Sequence, residues 1–223
     1  LQKKWEAMTD NQLWRDEYWL VLMQLYLRKP VGLKPLYSKG LVSLSIELHI
    51  HPKYLYRQMF RLRELETPYI EKLWNTYAKR PQKLMREVKW FRQVEGFGNA
   101  KEFYKGVEVN ETFEKDFRPL PQEPSLMPVT LILVLDLYFR LTPPTMVVET
   151  PEVKELSALV KANPSVIIEA MDVFRCCDPY LPKDNFIISP LLIPCQEIWK
   201  RYGNGNPEEL SALASQLKEY FKS

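Results

Sequence analysis

Displaced against itself by 112 residues, the chain falls into register without a gap, and this self-similarity limits it to architectures assembled from two equivalent units. Leu25-Tyr26-Leu27-Arg28 meets Leu137-Tyr138-Phe139-Arg140, Leu44-Ser45 meets Leu156-Ser157, and His51-Pro52 meets Asn163-Pro164. Met59 and Arg63 meet Met171 and Arg175. One residue is then lost, so that Thr67-Pro68-Tyr69-Ile70 corresponds to Asp178-Pro179-Tyr180-Leu181. After an insert over 182–195, Leu73-Trp74 and Tyr77 match Ile198-Trp199 and Tyr202, and Pro81 and Leu84 match Pro207 and Leu210. Chance likeness between two helical stretches does not preserve Trp, Tyr and Pro landmarks in order. The expectation is a first helical module over 1–97, a connector over 98–123 that carries Pro119 and Pro121, and a second module over 124–223.

Composition agrees with helices. The chain has 7 glycines and 18 prolines among 223 residues, the reverse of the usual excess of glycine over proline. Proline punctuation between helices explains this better than glycine-turned sheets. Helical patterns run over 13–27, 40–50, 52–65, 68–79, 81–91, 128–140, 152–161, 164–176, 194–202 and 207–221. Only 102–109 and 185–188 read as short strands. The fold class expected is therefore mainly α, in two tandem modules each centred on a pair of helices joined by a tight turn. The longest apolar run, 129–139, contains Asp136 and falls short of the roughly 20 apolar residues that a bilayer span needs. The opening Leu-Gln-Lys-Lys-Trp has no basic-then-apolar signal pattern, and three cysteines make no disulfide framework. A cytoplasmic protein without a membrane span is expected.

The centre of the first module, residues 41–62, has Leu44-Ser45 on one helix, Ile50 at a turn, His51-Pro52 at a helix start, and Tyr54-Leu55 and Met59-Phe60 on the next helix. That spacing resembles the helix-turn-helix of AraC-type regulators. The whole chain is similar to conserved bacterial proteins of uncharacterised role. The resemblance implies DNA binding through the second helix of the pair. His49 stands where such turns commonly carry Gly, a position that needs positive φ. His51 is a weaker cap than Ser, whereas Asn163 followed by Pro164 is a strong helix start.

On the helix that begins at Pro52, Leu55, Met59 and Leu62 share an inner face, while Lys53, Arg57 and Arg61 recur at i+4 steps on another, with Tyr56, Gln58 and Arg63 nearby. Such a stripe suits phosphate contact, with one Arg free to read a guanine edge. Lys83, Arg86 and Lys89 extend the basic character, with Leu84, Val88 and Phe91 inward. The partner expected is double-stranded DNA, bound through Lys53, Tyr56, Arg57, Gln58, Arg61, Arg63, Lys83, Arg86 and Lys89. The competing reading is an adaptor or scaffold whose basic face meets an acidic protein. The corresponding stripe of the second module is Ser165, Glu169 and Val173, which cannot neutralise a polyanion.

Trp74 and Trp199, like Tyr77 and Tyr202, occupy matching places in both modules, so packing is expected of them ahead of base stacking. Trp90, between Lys89 and Arg92, is open to either. His49 and His51 lie two apart, and Cys176 and Cys177 are adjacent, neither being a structural zinc spacing. No metal, cofactor or enzymatic activity is expected. The pairs Gly96-Phe97-Gly98 and Gly203-Asn204-Gly205 lack the residues that complete a phosphate cradle, and Glu108, Glu111, Glu114 and Asp116 read as a solvated carboxylate run. The net charge of +3 conceals an asymmetry. Residues 1–118 hold 22 cations and 15 anions, and 119–223 hold 9 and 13, so a polyanion would find its partner in the first half alone.

Overall fold

The computed structural model describes residues 14–94, 96–98, 113–181 and 188–222. These form ten α-helices and three short 3-10 helices, and no strand occurs among the described residues. The strand expected over 102–109, most of that over 185–188, and the carboxylates Glu108 and Glu111 lie outside them. The chain divides into two compact units, Leu1–Glu111 and Thr112–Lys222.

The first unit contains α1 (Tyr18–Leu27), α2 (Lys39–Leu48), α3 (Pro52–Arg63), α4 (Pro68–Tyr77) and α5 (Pro81–Phe91). Proline opens α3, α4 and α5, where its missing N–H costs nothing and its fixed φ is already helical. Thr67 Oγ1 accepts from Ile70 N at 3.3 Å and caps α4. Seven of the ten residues of α1 are buried, so this helix is the axis of the unit and touches α2, α3 and α5. Its apolar side chains recur at mixed spacings because nearly every side meets protein. Leu22, Met23, Leu41, Leu48, Leu55, Met59 and Leu62 are fully buried around it, each contributing about 1.5–3 kcal/mol relative to exposure.

The second unit contains α6 (Pro128–Arg140), α7 (Pro151–Val160), α8 (Pro164–Cys177), α9 (Leu192–Tyr202) and α10 (Pro207–Leu217). Every residue of α6 from Pro128 to Tyr138 is buried, Asp136 included. The Asp136 carboxylate is held by Arg140 Nη2 at 2.9 Å, one turn on, which a buried charge requires. α6 touches α7, α8, α9 and α10. The first helix of each unit thus packs against the second, third and fifth, and the second packs against the third.

Local geometry also recurs 112 residues apart. Each helix pair turns through a non-glycine residue in the left-handed region, His49 at φ 55° and Lys161 at φ 58°. Backbone bonds close both turns, Ile50 N to Ser45 O at 3.0 Å and Ala162 N to Ser157 O at 3.2 Å. The next helix is then capped from two residues upstream. His51 Nδ1 accepts from Lys53 N at 3.2 Å, and Asn163 Oδ1 accepts from Ser165 N at 2.9 Å. A histidine thus makes the cap that asparagine makes in the second unit.

Candidate nucleic-acid interface

The outer face of α3 is best followed around the helix at 100° per residue. Leu55, Met59 and Leu62 define the inner side. Lys53 and Arg57 lie opposite and are exposed. Neither has a carboxylate partner among the described residues; Arg57 lies over the Tyr54 ring, its Cζ 5.7 Å from the centroid. No acidic residue occupies the first turn of α3. The turn that enters α3 is fixed by the His49 backbone and the His51 cap, so these two cations stand on the N-terminal half of a well-anchored helix.

The C-terminal half differs. Arg61 is half-buried on the flank nearest α1, with its Cζ 5.8 Å from the Trp19 ring centroid. It donates through Nε to Glu66 at 2.8 Å and through Nη1 to Gln58 Oε1 at 3.0 Å. On the other flank, Arg63 pairs with Glu64 at 2.7 Å and lies over Phe60, whose ring meets that of Tyr56 edge-on at 5.1 Å. Tyr56 is half-buried against the core cluster. The basic stripe is therefore unpaired at its start and internally neutralised at its end.

Gln58 does not belong to this surface. It is buried, 4% exposed, and turned toward the core side, where it receives Arg61. The helical wheel explains this: position 58 falls only about 40° from Leu62, but about 100° from Arg57 and about 140° from Lys53. The expectation that Gln58 touches nucleic acid is corrected by its burial.

Lys83, Arg86 and Lys89 stand on α5, which packs on α1 and α4, whereas α3 packs on α1 and α2. Lys83 is half-buried with its Nζ 5.2 Å from the Tyr77 ring centroid; Arg86 and Lys89 are exposed. Arg92, just past α5, is anchored instead, with Nε and Nη2 on the Glu47 carboxylate at 2.5 and 3.0 Å. Gly98 follows at φ 83°, and a Cβ there would come within 2.6 Å of Glu47 O. Gly203 closes on the Trp199 ring, 2.5 Å from a built Cβ. Both glycines serve close packing at helix ends.

In the second unit the matching positions run from exposed to buried: Ser165 faces solvent, Glu169 is half-buried and Val173 lies fully inside. Glu169 accepts from Ser189 Oγ at 2.7 Å, and α9 packs along α8. Cys195, on α9, is also fully buried, and burial pushes its thiol well above the usual range, with Cys177 and Glu169 of α8 adding to the shift. Nothing in the sequence of the insert announced this cover; its one signal was Cys195, a residue type that favours burial.

The tryptophans divide as packing requires. Trp74 meets Tyr26 edge-on at 5.8 Å, and Trp199 meets Tyr138 at 6.1 Å in the same manner. Trp14 bridges Trp19 and Tyr54 at 5.0 and 5.9 Å. Trp90 is 62% exposed. Glu114 is buried and holds Arg118 at 3.2 Å, while Asp116 binds both terminal nitrogens of Arg201 at 2.7 Å, so these two carboxylates are structural ion-pair partners. Among the described residues no three His, Cys, Asp or Glu side chains converge as metal ligands would, and no helix is long and apolar enough to cross a membrane.

Comparison of the chain with models of known families, with curated proteins and with solved structures gives no match.

Proposed function

We propose that the chain is a non-enzymatic, cytoplasmic DNA-binding protein of the helix-turn-helix type, resembling AraC-type regulators over residues 41–62, built from two homologous modules, of which the first contacts double-stranded DNA. The observation that carries the reading is the pair Lys53 and Arg57, exposed and without carboxylate partners on the N-terminal half of α3, directly after a tightly closed turn. The N-terminal residues of the second helix are those that reach base edges when such a unit docks in a major groove. Tyr54 beneath Arg57 limits the freedom of the guanidinium, which lowers the entropy lost on binding. The common order of helix contacts, the paired left-handed turns and the paired caps support descent of the two units from one module. The burial of Val173 and the Glu169–Ser189 hydrogen bond support a packing role for the second.

Retardation of duplex DNA is the test. At about 50 mM salt the chain should retard a pool of duplexes, and raising salt should weaken binding steeply. Lys53→Ala with Arg57→Ala should remove most of the binding and lower the salt slope by about 2. Absence of retardation of any duplex at that salt overturns the reading. The second reading, an adaptor for an acidic protein, is favoured by the Arg61–Glu66 and Arg63–Glu64 pairs, which already neutralise part of the stripe within the chain.

A further inference from the structure

The outer face of α5 differs in kind from that of α3. At 100° per residue Gln82, Met85, Arg86, Lys89, Trp90 and Gln93 fall within an arc of about 140°, and all are exposed. The opposite side, with Leu84 and Val88, is buried in the core. The exposed arc therefore mixes cations with large apolar groups: Met85 is 53% exposed, Trp90 62%, and Val94, just beyond the helix, 41%. Trp90 makes only a tilted contact with its neighbour Phe91, ring centroids 6.4 Å apart. Arg86 and Lys89, and Lys79 and Arg80 at the start of the helix, are exposed with no carboxylate partner among the described residues.

We propose that this face docks the first unit on the surface of an anionic phospholipid bilayer. Arg86 and Lys89 meet lipid phosphates and carboxylates, and Trp90 enters the headgroup layer, the level at which indole rings concentrate. Met85 and Val94 follow it into the same layer. A DNA backbone would reward the cations but leave the indole, thioether and isopropyl groups without a partner, whereas a headgroup region takes both kinds of side chain. The docking is peripheral, because the inner side of α5 is committed to the core. It is independent of the DNA reading, which rests on α3.

The experiment compares the full chain on vesicles of phosphatidylcholine alone and of phosphatidylcholine with about one-third phosphatidylserine. Binding is expected only to the second, with a blue shift in tryptophan emission and release by salt. Arg86→Ala with Lys89→Ala should weaken it roughly 25-fold, at roughly fivefold per cation, and Trp90→Phe should remove most of the blue shift. All three residues are exposed, so circular dichroism should not change. Lys53→Ala with Arg57→Ala should leave vesicle binding intact. The proposal is overturned by any of four results: no phosphatidylserine-dependent binding, binding indifferent to the double variant and to Arg86→Glu, equal loss of vesicle binding in Lys53→Ala with Arg57→Ala, or polyglutamate held as tightly as the vesicles.

Discussion

The two units carry the same succession of helices around a largely buried first helix, yet they treat much of the outer side of the third helix differently. On α3 Lys53 and Arg57 face solvent; on α8 the position matching Arg57 is Glu169, hydrogen-bonded to Ser189, and that matching Arg61 is Val173, fully buried. The cover is α9, which lies along α8 and buries Cys195. The comparison separates what the shared scaffold needs from what one unit has to spare. The apolar residues alike at matching positions Met59 and Met171, and Leu44 and Leu156, are buried in both units. Residues that differ in charge are those on the outer side, where nothing in the core dictates them.

A reciprocal exchange at the covered position tests this most severely. Val173→Arg forces a charge into a site with no exposure, and an uncompensated buried charge costs about 3–5 kcal/mol. Arg61→Val deletes a solvent-facing ion pair and one hydrogen bond to Gln58, a loss of about 1 kcal/mol or less. Urea unfolding of the two variants should therefore differ severalfold in lost stability. Equal losses would show that α8 is as open as α3.

The tryptophans give the next largest contrast. Trp199 is 7% exposed and meets Tyr138, Phe139 and Phe174, while Trp74 is half-buried and meets one ring, Tyr26. Trp199→Ala should cost about 3–5 kcal/mol and Trp74→Ala about half of that, measured again by urea unfolding. The packing of both rings agrees with the sequence expectation, which favoured packing over base stacking for Trp74 and Trp199. Helix extents were legible where proline opens the helix: α5 and α6 occupy the expected residues. Where no proline marks the start, α1 begins at Tyr18, after a turn at residues 16–17, five residues later than apolar periodicity alone placed it. Of the candidate site, the outward Lys53 and Arg57 follow from i+4 spacing. Gln58 is a residue type that is mostly exposed, and its angle on the helix turns it inward. The cover on α8 had one sequence signal, Cys195, because the first turn of α9 lies in the insert over 182–195, which has no counterpart to compare.

A hydroxyl contrast of intermediate size has a pH signature. Tyr138 donates to Asp178 Oδ2 at 3.0 Å, and burial, reinforced by that carboxylate, raises its phenol well above the ordinary 10.0. The matching Tyr26 makes no such bond among the described residues, its unit having Thr67 where Asp178 stands. Tyr138→Phe should cost about 1.5–3 kcal/mol, as expected for a hydrogen bond to a charged group, and Tyr26→Phe about 0.5 kcal/mol or less. The folded chain keeps the Tyr138 proton at pH values where the unfolded chain has released it, so unfolding is favoured as pH rises above 10.0. Tyr138→Phe should therefore flatten the alkaline loss of stability. A variant with an unchanged alkaline limb would show that Tyr138 is not the group responsible.

The smallest contrast lies inside the paired turns. Ser45 and Ser157 are both buried, 112 residues apart, and both backbone carbonyls close their turn. Only Ser157 completes a side-chain bond, from Oγ to Ala162 O at 2.6 Å; Ser45 Oγ has no partner. A buried hydroxyl that forms its bond contributes about 1 kcal/mol, whereas one left unsatisfied carries the cost of desolvation with no return. Ser157→Ala should accordingly lower stability by about 1 kcal/mol, and Ser45→Ala should be neutral or mildly stabilising. If both substitutions cost the same, Ser45 makes the matching bond to Ile50 O in solution, and the two turns are alike down to their hydroxyls. The difference between the units would then lie on the outer sides of α3 and α8, where Arg57 faces solvent and Glu169 is hydrogen-bonded to Ser189.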